Sequence, residues 1–376
     1  MKKVRVLHCA DLHFDTPFKE LSREVSSISK EELLEVFKNI IDLTIKEEIE
    51  VLLIAGDVFD NLTVNKNTLF FISNQLARIP NVRVFISPGN HDPYNEKSFY
   101  NMMKFPENVY IFKRTLECKE IKELNLVIWG AGFRNSYENE SLLSNMNIDK
   151  SKINIMVMHG EIEKGSSSNE YNPIYLKDIE SSNLDYIALG HRHKFSGILK
   201  QGITSYAYSG CPQGRGFDEE GEKGIIIGEV YIGGVKLKFL PICKRKYNNI
   251  EIDVSDTNTY DELVLKILSS VNKNEANRDF YKIILKGELR EHFSLNEKIL
   301  TDKLENEFYY IKIVNNSSIS INLEDISNDY SIKGKFISKI IEKMNNANEE
   351  EKEVLNMALK IGIQCLSEDE VNLNDY

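Results

Sequence analysis

Five short stretches of this sequence place metal-binding residue types directly after apolar runs. They are Asp11-Leu12-His13, Gly56-Asp57, Gly89-Asn90-His91-Asp92, His159-Gly160 and Gly190-His191-Arg192-His193. Five of the seven histidines lie inside these stretches, a concentration that packing alone would not produce. In an extended backbone residues i and i+2 share a side. Asp11 with His13, and His191 with His193, are therefore expected to face one site, with Leu12 turned to the core and Arg192 turned away toward solvent. Asp57, placed after Gly56, offers a carboxylate whose two oxygens can bridge two cations. Four imidazoles (His13, His159, His191, His193), the carboxylates of Asp11 and Asp57 and the Asn90 carbonyl make a mixed nitrogen and oxygen donor set. Such a set suits Mn, Fe or Zn better than it suits Ca or Mg, which prefer oxygen alone. The sequence predicts a cluster of divalent metal ions.

The chemistry open to such a cluster is phosphoester hydrolysis. Two cations roughly 3.5–4 Å apart can clamp a phosphodiester, activate a water and stabilise both the attacking and the leaving oxygen. No covalent nucleophile is required, and no serine sits in a Gly-x-Ser-x-Gly elbow. Left as core polar groups without partners, the seven donor residues would each cost about 1–3 kcal/mol, so a purely structural reading of them is poor.

The donors need a scaffold that brings five distant segments together. Apolar runs at 4–10, 51–55, 82–86, 153–158 and 186–189 read as strands buried on both faces. Covered sheets collect their ligands at the carboxyl ends of their strands, where all five motifs fall. Helix-like patterns at 30–48, 67–78, 96–104 and 174–181 alternate with these strands and imply a layered α/β sandwich. Runs without helices at 195–208 and 224–240 predict antiparallel strands closing a second sheet, with a hairpin turn at Gly233-Gly234. The basic stretch Lys244-Arg245-Lys246 reads as a linker. Beyond it a βαβαβ pattern covers strands at 249–254, 280–285 and 309–314 and helices at 260–271 and 295–305. Two amphipathic stripes, from Phe336 to Met344 and from Val354 to Cys365, end the chain as helices.

The ordered set Asp-x-His, Gly-Asp, Gly-Asn-His-Asp, His-Gly and Gly-His-x-His resembles the calcineurin-like metallophosphoesterases. The flanks from His8 to Phe18, from Gly56 to Asp60 and Tyr208-Ser209-Gly210 are similar to the DNA-repair exonuclease branch. Gln213-Gly214-Arg215 and Gly221-Glu222-Lys223-Gly224 look most like its YhaO group, related to the SbcD nuclease subunit. The resemblance implies an α/β fold: a two-sheet αββα sandwich with a small α+β capping domain and C-terminal helices. Its domains would be 1–243 for phosphoester hydrolysis, 247–322 as a DNA-binding cap and 331–376 as a partner-docking region.

By the same resemblance Asp11, His13 and His193 would hold one metal ion, and Asn90, His159 and His191 the other, with Asp57 bridging. His91, supported by Asp92, would stand beside the scissile phosphate as acid or hydrogen-bond donor. Arg215 would contact substrate. The expected cofactor is a pair of divalent ions, Mn2+ first, with Fe or Zn as alternatives. The expected activity is a metal-dependent DNA exonuclease, a hydrolase acting in DNA double-strand break repair or end processing. Alternatives are a phosphoesterase for cyclic nucleotides or other small phosphodiesters, and a non-catalytic scaffold for a coiled-coil ATPase. Expected partners are DNA (double-stranded ends or single strands) and a coiled-coil, SMC-like ATPase, with a homodimer as a further option and no membrane. Two positions depart from the family pattern: Arg192, where an aliphatic residue is expected, and Asp15, where SbcD-type chains tend to have glycine.

Composition sets further bounds. With 376 residues, 41% of them hydrophobic, the chain can form two domains or more with full cores. No apolar run approaches the ~20 residues that span a bilayer, and no signal-like region follows Met1-Lys2-Lys3. Five cysteines without a Cys-x-x-Cys pair fit reduced thiols and a cytoplasmic setting. The net charge of −11 runs against nucleic-acid binding in general. Charge more than about 8 Å away is largely screened at physiological salt, so a local basic path through Lys194, Lys200, Arg215 and Lys244 to Lys246 remains open. His8 reads as a satisfied core histidine, His292 as a surface residue and Ser166 to Ser168 as a surface loop.

Overall fold

A computed structural model of the chain describes residues 2–61, 64–143, 146–163, 170–290, 295–320 and 330–367. His292, the serines at 166–168 and the acidic end at 368–376 lie outside those residues. Contacts divide the chain into two compact units, Met1–Lys246 and Tyr247–Tyr376.

The first unit runs β1 (Lys3–Cys9), α1 (Arg23–Lys46), β2 (Val51–Ile54), α2 (Lys66–Ala77), β3 (Arg83–Ile86), α3 (Phe99–Met102), β4 (Val109–Ile111), β5 (Glu117–Ile121) and β6 (Leu126–Ala131). It continues with β7 (Ile153–His159), β8 (Glu161–Glu163), β9 (Pro173–Tyr175), α4 (Leu176–Ser182), β10 (Tyr186–Gly190), β11 (Leu199–Gln201), β12 (Thr204–Tyr208), β13 (Gly224–Tyr231) and β14 (Gly234–Pro241). Two six-stranded sheets result, ordered β14-β13-β1-β2-β3-β4 and β11-β12-β10-β7-β6-β5. In the first, β1 to β4 are mutually parallel; in the second, β12, β10, β7 and β6 are.

Strand alternation sorts the side chains into layers. Val4, Val6, Val51, Leu53 and Phe85 meet Ile128, Ile155, Val157, Tyr186 and Ala188 between the two sheets. Leu7, Leu52, Ile54, Val84 and Ile86 face the opposite way, onto Leu33, Phe37, Ile40 and Ile41 of α1 and Ile72 and Leu76 of α2. Met156, Met158, Ile187 and Leu189 pack with Ile179 of α4 on the far face of the second sheet. The order is helix, sheet, sheet, helix. Fully burying Phe37, Ile40 and Ile41 contributes about 1.5–3 kcal/mol each, which fixes α1 against its sheet.

His8 ties the layers together. Its ring bonds the Tyr186 hydroxyl at 2.9 Å and the Leu189 carbonyl at 3.2 Å across the inter-sheet space. Burial lowers its pKa to about 3, against the pull of that carbonyl, so it is a neutral core histidine.

Several expectations are corrected. The 224–240 run joins the first sheet, β13 pairing antiparallel with β1 from Lys3↔Tyr231 to His8↔Ile226. Ile225 and Ile227 face α1 and α2 while Ile226 and Val230 face the other sheet, so burial on both sides hides which sheet the strand belongs to. The hairpin closes at Tyr231↔Gly234, making Ile232-Gly233 the turn, with Gly233 at φ +85°. The first helix begins seven residues early, at Arg23, where the Ser22 hydroxyl caps the Val25 N–H. The helix read at 96–104 is a single turn, and the one read at 174–181 starts at Leu176, after β9. Lys244 and Arg245 are no free linker: they pair with Glu35 and Glu32 of α1.

The second unit holds β15 (Tyr247–Asp253), α5 (Tyr260–Ser269), α6 (Lys273–Ala276), β16 (Phe280–Lys286), β17 (Glu288–Arg290), α7 (Glu297–Leu304), β18 (Tyr310–Asn315), β19 (Ser318–Ser320), α8 (Ile332–Asn345) and α9 (Glu349–Ser367). Strands β15, β16 and β18 form a parallel sheet. Its core unites Ile252, Ile283 and Leu285 with Leu263, Ile267, Leu300 and Leu304 of α5 and α7. The last two helices bury Ile337, Leu359 and Ile363 against each other. Among the described residues no helix is long and apolar enough to cross a membrane.

Candidate metal centre

The site is built past the carboxyl ends of β1, β2, β3, β7 and β10. Beyond β1 and β2 the two chains stay zipped: Asp11 N–H donates to the Gly56 carbonyl at 3.0 Å, His13 N–H to Asp57 at 2.9 Å and Phe14 N–H to Val58 at 2.9 Å. The backbone there has left strand geometry. Asp11, His13 and Asp57 have φ of +54°, +45° and +49°, and His191 has +104°. Asp11 and His13 thus reach one place through left-handed turns rather than strand alternation. Positive φ is uncommon for residues other than glycine and concentrates at functional sites, at about 1–3 kcal/mol each. Asp15 is also left-handed, at φ +64°, which suits the glycine expected there. Its carboxylate holds Asn65 N–H and the Thr68 hydroxyl at the start of α2.

Two glycines admit the close approach. Any side chain at Gly190 would collide with the Ala55 carbonyl of the facing sheet, and one at Gly56 (φ +89°) would strike the His159 ring. Without them the two sheets could not close at this end.

Asp11, His13, Asp57 and His159 are buried, and Asn90 nearly so. The ligand atoms of Asp11, His13 and His193 lie within 4.8 Å of one another, as do those of Asp11, Asp57 and His159. Asp57 Oδ2 sits 3.6 Å from His13 Nε2 and 3.3 Å from His159 Nε2, between the two groups. His159 Nδ1 is 2.9 Å from the Ala55 carbonyl, which can only accept, so Nδ1 carries a proton. Its Nε2 then faces the Asn90 side-chain oxygen at 2.9 Å and Asp57. His191 joins through a ring contact with His159, centroids 5.2 Å apart, and its N–H holds the Asp11 carboxylate at 3.0 Å.

These residues fit divalent cations on a local test. Both ring nitrogens of fully buried His13 lack a hydrogen bond. Nδ1 lies 3.2 Å from Asp60 but off line for donation. His159 Nε2, the Asn90 oxygen and Asp57 Oδ2 are three lone-pair bearers that converge, and either a proton or a cation must sit among them. Without a cation the proton takes that place. Burial works against charge on His159, yet Asp57 and Asp11 raise its pKa to about 9. Burial alone would raise Asp57, but His159, His13 and His91 hold it well below the carboxylate range. Burial lowers His13, against Asp60 and Asp57, and lowers His191 to about 3. Buried charge of this kind is normally paired or metal-bound.

His91 is exposed at the edge of the site, its ring edge-on to His13 at 4.9 Å. Its backbone N–H donates to Asp57 Oδ1 at 3.0 Å, and its Nδ1 to the Asp60 carbonyl at 2.8 Å. The ring is held by Asp60, not by Asp92. The Asp92 carboxylate instead accepts from Gly89 N–H (2.7 Å), Val58 N–H (2.7 Å), Phe59 N–H (3.2 Å) and the Tyr100 hydroxyl (2.6 Å). It locks the Asp57 loop to the Asn90 loop. Burial and Asp57 raise its pKa to about 6, against the hydrogen bonds from Tyr100, Gly89 and Phe59.

Two arginines are engaged by neighbouring protein groups. Arg192 does not run free into solvent: it pairs with Glu161 and lies over the Tyr208 ring. Arg215 is largely buried, donating to Glu219 Oε1 at 2.7 Å and Asp60 at 3.2 Å, with His193 Nδ1 at 3.1 Å. These contacts place its guanidinium between Asp60 and His193. Three supporting carboxylates were not picked out from sequence: Asp60 near His13, Glu161 facing His191 at 3.5 Å and Glu219 facing His193 at 2.7 Å. Asp60 and Glu161 adjoin motifs, a usable signal; Glu219 had none beyond its glycine-rich loop.

The chain matches a family model described as Calcineurin-like phosphoesterase over residues 4–195, just over half its length. It is 26% identical over 279 residues to YhaO of Bacillus subtilis strain 168, an uncharacterized metallophosphoesterase, covering 71% of this chain and 67% of that one. Among solved structures it is similar to TT1561 of Thermus thermophilus, at TM-score 0.40 and 11% identity over 64% of this chain and 99% of that one. It is also similar to the purple acid phosphatase PPD1 of yellow lupin (Lupinus luteus) seeds, at TM-score 0.41 and 12% identity over 65% of this chain and 52% of that one.

Proposed function

The chain belongs to the calcineurin-like phosphoesterases, and on that premise we propose that it is a metal-dependent DNA exonuclease. The carrying observation is the orphaned, fully buried His13 imidazole set among Asp11, Asp57 and His193. Asp11, His13 and His193 would hold one divalent ion and Asn90, His159 and His191 another, with Asp57 shared; the mixed nitrogen and oxygen set suits Mn, Fe or Zn better than Mg or Ca, and we take Mn first. Bound there, the ions would neutralise phosphate charge and activate water. The residues supply the rest. The peptide N–H of His91 orients Asp57, and the Asp60 carbonyl keeps a proton on His91 Nδ1, so that Nε2 at the open edge donates to a phosphoryl oxygen, or protonates the leaving oxygen, when the ring is the imidazolium.

One observation favours a second reading, hydrolysis of small phosphodiesters. Lys244 and Arg245, the basic stretch that would track DNA, are neutralised by Glu35 and Glu32. End-labelled linear duplex and bis(p-nitrophenyl) phosphate, each with Mn or Mg, separate the two. Processive shortening of the duplex supports the exonuclease; turnover of the small diester with an intact duplex overturns it.

A further inference from the structure

A cavity of about 420 Å³ opens beside the site, lined by Pro93, Asn95, Glu96, Lys97, Arg114, Asn135 and Ser136. Its place follows from topology. Candidate ligands occupy the carboxyl ends of β1, β2, β3, β7 and β10; the ends of the parallel strands β4 and β6 carry Arg114 and the Arg134-Asn135-Ser136 stretch. Three loops form one wall: Tyr94 N–H donates to the Phe133 carbonyl at 2.9 Å, Phe133 N–H to Pro88 at 3.1 Å, and Arg114 Nε to the Tyr94 carbonyl at 3.2 Å. The Phe133 ring packs edge-on against His159, centroids 5.6 Å apart, so this wall is continuous with the site.

Four other cations singled out above are already committed. Arg192, Arg215, Lys244 and Arg245 are all paired with carboxylates. Lys97 and Arg114 form no ion pair among the described residues, and Glu96 is the only acid in the lining. Two cations without a carboxylate partner, with the Asn135 amide and the Ser136 hydroxyl, suit an oxyanion with a polar ester, the pattern of a backbone phosphate and its sugar. The acidic remainder of the chain does not cancel this attraction beyond about 8 Å.

We propose that this cavity is a subsite for a second backbone phosphate of a single polynucleotide strand, neighbouring the phosphate that is cleaved. The inference rests on the phosphodiesterase reading and deepens it: the substrate carries at least two phosphodiesters.

The test is binding by the full chain in EDTA, where nothing is cleaved, with fluorescein-labelled hexathymidylate followed by anisotropy. Lys97→Gln with Arg114→Gln should weaken binding about tenfold or more and flatten the plot of log K against log salt by roughly 0.7 per lost contact. Arg114→Lys should recover part of the loss. Lys122→Gln with Lys150→Gln, the same charge change ahead of β6 and β7 at the opposite end of the sheet, should bind as wild type. The inference is overturned if the Lys97 and Arg114 double variant binds like wild type, if the control pair weakens binding equally, or if inorganic phosphate competes as well as the oligonucleotide. Turnover of bis(p-nitrophenyl) phosphate with Mn is read separately on wild type. A chain that binds through Lys97 and Arg114 but hydrolyses no diester refutes the enzymatic reading and leaves the subsite standing.

Discussion

Replacing Asp92 separates loop architecture from chemistry. Its carboxylate accepts three backbone N–H groups and one hydroxyl, all buried. Oδ1 serves Gly89 alone, while Oδ2 serves Val58, Phe59 and Tyr100. Asp92→Asn can keep its oxygen toward the three donors and turn its NH2 group on the Gly89 N–H, orphaning one donor at about 1–3 kcal/mol. Asp92→Ala orphans all four. Relaxation and water entry recover part of that, so the expected loss is about 3–5 kcal/mol rather than the full sum. The single tryptophan, Trp129, lies in β6, so its fluorescence in urea reports the first unit alone. Because Asp92 joins the Asp57 and Asn90 loops, metal per chain by elemental analysis should fall in the same order, wild type above Asn above Ala. Equal midpoint shifts for the two variants, or full metal content in Asp92→Ala, would refute the donor count.

Asp57→Ala should lose both metals, whereas His91→Ala should keep both and lose cleavage; elemental analysis beside a nuclease assay checks this, and two metals in Asp57→Ala would sink the bridging assignment. Chelation should abolish activity, with Mn restoring it better than Mg; equal rescue across a concentration series would contradict the imidazole-rich assignment. Gly190→Ala should destabilise the first unit by about 1–3 kcal/mol, because the new methyl group meets the rigid Ala55 carbonyl rather than a movable side chain. An unchanged urea midpoint by Trp129 fluorescence would show that the sheets can part there.

The sequence by itself determined the kind of fold and the donor set. Runs such as 51–55, and 153–158 apart from Asn154, are apolar because their strands are covered on both faces, and each stops where its motif begins. Donor types are local information, so Asp11, His13, Asp57, Asn90, His159, His191 and His193 could be named before any geometry. Tertiary structure decided what these residues meet. Strand β13 joins the first sheet rather than the second, a choice hidden in the sequence because both its faces are buried. Left-handed φ at Asp11, His13 and Asp57 is imposed by the zipped loops and replaces the strand alternation that the spacing suggested. Arg215 and Arg192 read as available cations until Glu219, Asp60 and Glu161 stand beside them. Asp92 read as support for its neighbour His91, yet its carboxylate turns to Val58 and Phe59, more than thirty residues away. A motif states which groups a chain offers; the partners that satisfy or free them come from distant segments, and only the folded packing selects them.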